Sequence, residues 1–511
     1  MSERKFGVSM GPLLTAFAAS SLVVGSAAIA KPGESACAKL ASAVLPHTTL
    51  SSAKEVAAND SARTPAYCEV TGVVSPVKGS HIGVVYRLPD NWNGKLLGLG
   101  GGGWAGNVKI EPAVAGLARG YATAQTDSGH DTSNVWDTTW AANPAAVDDF
   151  AHRAIHLMTT TGKAVVARYY GHQQKLAYFQ GCSTGGRQGL MEVQRYPDDY
   201  NGVISGAPVY TLTTQTMALL RSQAFAHPGA SMTSAQLSRL NEAALAACDA
   251  NDGLKDGIVT DPRTCNFDPA ALQCKGGEPA ENCLSPAQVN VVRAVYAGVK
   301  APNGEFASYP LSRGSELGWD RFIATGQPAD SATLATTSAG AGLGGLRTAL
   351  FGTADFDLTR FSADRDYTRV RTSAFAKLYE ARNPDIAAFL KKGGKLILWH
   401  GFDDPGPSPL GTLDYYRDLQ RVTGKKAGPL DASVRFYLAP GVYHCRGGPG
   451  ADTFDTLGAL DKWVDKGQAP ETLLATRQDG KFSRPLCRYP ALPRYKGAGD
   501  PNSAASFTCK G

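Results

Sequence analysis

Residues 181–189 read GCSTGGRQG, and the first five fit G-x-S-x-G around Ser183. An apolar, strand-like run, KLAYFQ (175–180), leads in, and a helical pattern starting near Gly186 leads out. In that context the glycines permit a strand-to-helix turn too sharp for larger side chains, with the serine oxygen at its apex. The start of the helix stabilises negative charge beside that oxygen. The chemistry this suggests is attack by a hydroxyl on a carbonyl carbon.

Such a hydroxyl needs a base, and the base needs an orienting carboxylate. In the chain order Ser, Asp, His, both partners follow on loops after later strands. The strand KLILWH ends in HGFDDP (400–405), which offers Asp403 or Asp404, and the strand VRFYLAP ends in GVYHCRGG, which offers His444. The competing account of His444 is a loop histidine bonded to backbone. Acyl transfer also needs donors for the oxyanion. The amide of Thr184 is one candidate. The glycine-dense loop GLGGGGWAG (98–106) supplies the other, at Gly102 or Gly103. The same loop satisfies a dinucleotide fingerprint, Gly98-x-Gly100-x-x-Gly103. WAGNVKIEP opens no clear helix, however, and no acidic residue ends a second strand downstream, so that rival fails on context.

Cysteines flank the two reactive residues: Cys182 precedes Ser183 and Cys445 follows His444. Of the ten cysteines, Cys37 with Cys68, Cys248 with Cys265, Cys274 with Cys283 and Cys487 with Cys509 would each close a modest loop, leaving Cys182 and Cys445 for each other. A disulfide holds two Cα atoms within about 4.4–6.8 Å. Such a bond would force Ser183 and His444 into one small volume and consume a thiol that would otherwise compete with the serine. The alternative is a pair of buried reduced cysteines packing as small apolar residues.

Strand-like runs at 82–89, 95–100, 175–180 and 202–208 alternate with helical patterns at 144–169 and 187–195. After a break the rhythm resumes with strands at 395–400 and 434–440 and helices at 413–422 and 455–467. This alternation predicts a mostly parallel sheet covered on both faces. The pattern degrades between 209 and 384, as an inserted lid would make it, and low-complexity TLATTSAGAGLGGL (333–346) lies there. The expected organisation is a leader over 1–30, a first α/β part over 31–208, the lid over 209–384 and a second α/β part over 385–511.

The leader shows Arg4 and Lys5, an apolar run from Leu13 to Val24 and a small-residue cleavage site at Ala28-Ile29-Ala30. A secreted or periplasmic protein is expected, with no membrane span, and an oxidising compartment suits the even cysteine count. Lys and Arg total 51 against 45 Asp and Glu, scattered without a basic stripe, so nucleic acid is not an expected partner. Oligomeric state leaves no signal in the sequence.

Three other features weigh less or differently. HRAIH places His152 and His156 four apart on a helix, but the glutamate of a zinc protease is missing, and packing or surface roles fit better. Asp127 and His130 in TDSGH either line the cleft or bond within their loop. CDANDGLKDGIV (248–259) gathers Asp249, Asp252 and Asp256 around glycines. Close carboxylates suit a structural Ca2+ without the register of an EF-hand, the alternative being a solvated acidic turn.

Together, GCSTGGRQGLMEVQRYPDDYNGVISGAP, HGFDDP, PGVYHCRGGPG, GGGGWAG and TDSGH resemble the tannase and feruloyl esterase family of α/β-hydrolases. That family includes the mono(2-hydroxyethyl) terephthalate hydrolases. The resemblance implies an α/β-hydrolase fold with a large inserted lid, and a Cys182–Cys445 disulfide. It implies Ser183 as nucleophile, Asp404 rather than Asp403 as orienting acid, and His444 as base. It also implies calcium held by Asp249, Asp252 and Asp256 with the carbonyls of Leu254 and Ile258. The implied activity is a serine carboxylic ester hydrolase cleaving small-molecule esters of aromatic acids, feruloyl or other hydroxycinnamoyl esters first, with gallate esters and terephthalate monoesters as alternatives. A calcium-dependent binding protein on a hydrolase scaffold is the non-enzyme alternative. Departures fall in the lid, where ALFGTADFDLTRF (349–361) replaces an F-x-D-P-x-W-D segment, and after GAP, where VYTLT replaces a common Asn-Trp pair. Trp319 or Phe351 is expected to wall the acyl slot.

Overall fold

The computed structural model describes residues 35–511 apart from Ala105, 277–279 and 327–329. The leader expected over residues 1–30 lies outside the described residues. Ala36–Gly511 form one compact unit.

Nine strands make the main sheet: β1 (Thr48–Val56), β2 (Tyr67–Val74), β3 (Ile82–Pro89), β4 (Lys95–Leu99), β5 (Ala122–Thr126), β6 (Leu176–Cys182), β7 (Gly202–Gly206), β10 (Lys395–Gly401) and β11 (Val434–Ala439), with β8 (Val299–Lys300) and β9 (Phe306–Ser308) forming a separate hairpin. The spatial order is β1-β2-β3-β5-β4-β6-β7-β10-β11. From β5 onward every neighbouring pair is parallel, while β1, β2 and β3 run antiparallel to their neighbours. Composition accounts for the difference. ATAQT and GVISG are buried along their whole length, as parallel strands covered on both faces must be, whereas β2 alternates buried and half-buried positions.

Strand side chains point alternately to the two faces, so consecutive residues feed two separate cores. Leu96, Phe179, Val203, Leu396, Leu398 and Phe436 join one core with Met158 and Val165 of helix Ala154–Tyr170 and Leu419 of helix Pro409–Ala427. Leu97, Tyr178, Ile204, Ile397 and Tyr437 join the other with Leu117 of helix Glu111–Ala118 and Leu460 and Trp463 of helix Thr456–Lys466.

β7 and β10 are paired neighbours, yet residues 207–394 lie between them in sequence. This insertion holds helices Ser234–Cys248 and Pro286–Ala297, each opened by a capping box, Thr233 with Gln236 and Ser285 with Gln288. The low-complexity run folds as two short helices, Ser331–Thr336 and Ser338–Leu343, capped by Asp330 and Thr337. Leu334 and Leu343 bury against the ring cluster of Trp104 and Trp140. Among the described residues no helix is long and apolar enough to cross a membrane.

Candidate active site

β6 ends at Cys182 and the next helix, Thr184–Arg195, begins two residues on, so Ser183 alone makes the turn. The helix starts two residues before the position expected from the sequence. Ser183 has φ 64° and ψ −123°, a conformation that costs a non-glycine residue about 1–3 kcal/mol and persists only where surroundings enforce it. They do so here. The Ser183 amide donates to the Gly206 carbonyl at 3.0 Å, and the Ser183 carbonyl accepts from the Arg187 and Val209 amides at 3.0 and 3.2 Å. The flanking glycines are sterically required: a Cβ on Gly181 would stand 2.5 Å from the Gly185 backbone, and one on Gly186 2.2 Å from the Gly206 carbonyl.

Asp404 and His444 sit on the turns after β10 and β11. His444 Nδ1 and Asp404 Oδ2 are 2.7 Å apart. Asp404 is fully buried, and its remaining oxygen accepts from the Gly406 amide at 2.8 Å. A third partner went unremarked in the sequence: His400 Nε2, 3.0 Å from Asp404 Oδ2, with His400 Nδ1 2.8 Å from the Thr412 hydroxyl. His400 opens the same HGFDDP segment, so its proximity in sequence was the available signal. Burial pushes the Asp404 carboxyl up, but the two imidazoles outweigh it and hold the group at about 2. Asp404 is therefore a carboxylate at any ordinary pH, able to fix the imidazole ring and its tautomer.

Cys182 and Cys445 are bonded, with Cα atoms 6.0 Å apart across 263 residues of sequence. The other pairs are Cys37–Cys68, Cys248–Cys265, Cys274–Cys283 and Cys487–Cys509, and no cysteine is free. The tether brings Ser183 and His444 to the wall of one cavity of about 310 Å3. Trp136, Val209, Ala218, Phe322 and Pro407 make that cavity largely apolar, and Thr214, Gln215 and Ser338 add polar atoms. The Phe322 ring meets the His444 ring edge-on at 5.3 Å.

Neither aromatic wall expected from the sequence is there. Trp319 is wholly buried among helices of the insertion, packed against Phe225 and Tyr296 and donating to the Ser315 hydroxyl. Phe351 stacks on Phe356 at 4.0 Å and does not border the cavity. Trp136 and Phe322 take their place. They come from irregular segments, where no periodicity marks which way a side chain faces.

The glycine run resolves further. The Gly100 amide donates to the Gln180 carbonyl and the Gly101 amide to Gln188 Oε1, both at 3.0 Å. Gly102 and Gly103, which border the cavity beside Thr184, keep amides free of any such bond. Thr184 is the first helical residue, so its amide lacks an intrahelical acceptor. Its hydroxyl donates to the Gly103 carbonyl at 2.5 Å, tying the loop to the helix start. His130 Nε2 lies 2.8 Å from the Trp104 carbonyl and its ring stacks on Trp140, so His130 shapes this loop from behind. Asp127 accepts from the Gly83 and Gly129 amides, and burial chiefly pushes its carboxyl up to about 7. Neither lines the cavity. His152 bonds the Tyr196 hydroxyl and His156 bonds Asp199, which are packing roles.

In the acidic loop, Asp249 accepts from the Asp256 and Gly257 amides, and Asp252 from the Leu254 amide and the Thr260 hydroxyl. Asp256 Oδ2 takes a bond from Arg484, while its Oδ1 is buried without a partner. Burial raises the Asp256 carboxyl above its usual range; Arg484 opposes the shift, and Asp252 and Asp249 add to it. Among the described residues no three acidic, His or Cys side chains converge closely enough to hold a metal alone. A cation here would need backbone carbonyls as well, and the orphaned Asp256 Oδ1 is the feature it would satisfy.

Residues 68–510 match the family described as tannase and feruloyl esterase. A mono(2-hydroxyethyl) terephthalate hydrolase of Piscinibacter sakaiensis is 34% identical, over 88% of this chain and 85% of that protein. A probable feruloyl esterase of Arthroderma benhamiae is 36% identical, over 84% of this chain and 82% of its own length. The crystal structure of feruloyl esterase B from Aspergillus oryzae superposes with a TM-score of 0.83 at 28% identity, covering 93% of this chain and 99% of that one. This chain, with its α/β-hydrolase sheet, belongs to the tannase and feruloyl esterase family.

Proposed function

We propose that this carboxylic ester hydrolase works through an acyl-enzyme on Ser183 and takes neutral esters of aromatic acids, hydroxycinnamoyl esters first. The observation that carries the reading is the 2.7 Å bond between His444 and Asp404, on a turn tethered by Cys182–Cys445 to the residue beside Ser183. Ser183 Oγ attacks the ester carbonyl while His444 Nε2 takes its proton. The amides of Thr184 and of Gly102 or Gly103 receive the oxyanion. His444 returns the proton to the departing alcohol, then activates a water that releases the acid. Asp404 holds Nδ1–H throughout.

Substrate charge separates the candidate acyl groups. Among the described residues His444 is the one titratable group lining the cavity, and no Lys or Arg borders it. A free carboxylate would enter without a counter-charge, which is costly in an apolar site. A gallate ring asks for several hydrogen bonds, and the polar atoms are few. We therefore expect kcat/KM for methyl ferulate or methyl p-coumarate to exceed that for a terephthalate monoester by about 100-fold or more, a loss of about 3 kcal/mol. A steady-state panel including methyl gallate measures this. Equal or better turnover of the charged ester would overturn the assignment, and a fluorophosphonate adduct mapped to a residue other than Ser183 would overturn the nucleophile.

The Asp249–Asp256 loop, in this reading, binds a structural Ca2+ through Asp249, Asp252, Asp256 and the carbonyls of Leu254 and Ile258. The group supplies charge neutralisation and takes no part in the reaction. Chelation with EDTA is expected to lower Tm reversibly, because a ligand at 100 times its Kd stabilises by about 2.7 kcal/mol. Asp252→Ala should lose that response; an EDTA shift of equal size in the variant would count against the loop. Five disulfides support an exported protein, secreted or periplasmic.

A further inference from the structure

A second cavity, of about 490 Å3, adjoins the catalytic one, and Thr214 lines both. It lies between the β8–β9 hairpin of the insertion and helix Pro409–Ala427 of the sheet's cover. Its volume falls within the span of about 300–1,000 Å3 typical of ligand pockets. Its chemistry is opposite to that of its neighbour. Thr211, Thr213, Ser308 and Ser408 give it a buried floor of hydroxyls. Phe306 and Tyr309, whose rings lie 5.0 Å apart, give it an aromatic side.

The charged groups lining this cavity balance in number, Arg221, Arg382 and Arg417 against Glu305, Asp414 and Asp418. Arg221 donates to the Pro405, Gly406 and Tyr309 carbonyls, and Asp418 accepts from Arg421. Glu305 accepts from the Tyr367 hydroxyl at 2.6 Å and stands 3.9 Å from Arg382. Arg417 donates to Asp414 at 3.1 Å. Opposite charges in equal number largely cancel at a distance, so the site offers no net field to attract a phosphate or a polycation. At short range each pair still presents carboxylate lone pairs and guanidinium N–H groups. A ligand that both donates and accepts at many points, carries no charge and has an apolar face for the rings satisfies such a lining. We propose that this cavity binds a neutral polyhydroxylated ligand, a short oligosaccharide, at a site separate from the catalytic serine. Holding one part of a larger molecule there would raise the effective concentration of an ester elsewhere on it. That consequence rests on the esterase reading; the binding does not.

Xylotriose, cellotriose and maltotriose, titrated into the full chain by calorimetry, test the proposal. At least one is expected to bind saturably, both to the free protein and to protein whose Ser183 has been blocked with a fluorophosphonate. Asp414→Ala and Arg417→Ala should each weaken that binding about tenfold or more, the cost of losing a charged hydrogen bond. Arg417 is exposed, so its replacement leaves folding intact, and turnover of a small methyl ester should stay unchanged in both variants. No saturable binding of any trimer, loss of binding on blocking Ser183, or wild-type affinity in both variants would each overturn the site. Failure of the esterase reading would register separately, as absent turnover of the methyl ester by unmodified protein.

Discussion

Replacing Ser183 with alanine is expected to lower kcat for a hydroxycinnamoyl ester by roughly 10⁶-fold, the loss typical of removing a serine nucleophile whose partners act as a unit. KM should change little, because the hydroxyl adds almost nothing to ground-state binding in a cavity walled by Trp136 and Phe322. The variant should fold normally. The backbone strain at φ 64° belongs to the turn, and alanine inherits it. Ser183→Gly gives an internal control: glycine adopts positive φ without penalty, so that variant should be equally inactive but more stable than Ser183→Ala. Turnover by Ser183→Ala near the wild-type rate would end the nucleophile assignment. A lower Tm for the glycine variant would mean the strain is not there.

The elbow was legible in the sequence because its constraints are local. Glycine at 181 and 186, an apolar strand before and a helix after are all features of contiguous residues. The paired carboxylates of HGFDDP were not separable in the same way, since adjacent residues on a turn point to different surroundings. Asp404 meets two imidazoles, whereas Asp403 is buried with both oxygens unpartnered near Glu316. Chain order alone does not distinguish those fates; here the family resemblance did. The lining of the Ser183 cavity was least legible. Trp136 and Phe322 sit in irregular segments, and Trp319, an apparent candidate, turns inward to a hydroxyl three-dimensionally close through its own short helix. The sheet's antiparallel edge escaped notice for a different reason: TTLSSAKEV, which forms β1, exposes much of its length and carries little apolar alternation. The short C-terminal strands, Thr472–Thr476 paired with Ser483–Cys487 and Leu492–Tyr495 with Phe507–Lys510, gave no run long enough to read.

Asp404→Asn is expected to cost about 10⁴-fold in kcat, while Asp403→Asn leaves kcat near the wild-type value. An amide at 404 can present N–H to His444 Nδ1 and so favours the tautomer whose proton sits on Nε2, where it cannot accept from Ser183. The geometry survives but the base is lost. The two variants should also move stability in opposite senses with pH. Asp404 is held at about 2, below its usual 3.8, so its ionisation stabilises the fold above pH 4 and that contribution vanishes as pH falls toward 2. Asp404→Asn should thus lower Tm at pH 7 and converge on wild type in strong acid. Asp403 is pushed well above the usual range by burial first and by Glu316 second. Its cost is absent below pH 4 and grows as pH rises, so Asp403→Asn should raise Tm at pH 7 and have little effect at pH 3. Thermal melts of both variants across that range, read beside kcat, assign the two carboxylates independently. If Asp403→Asn were the inactive variant, or if the pH trends were exchanged, the orienting acid would have to be moved one residue upstream, away from the imidazole it faces.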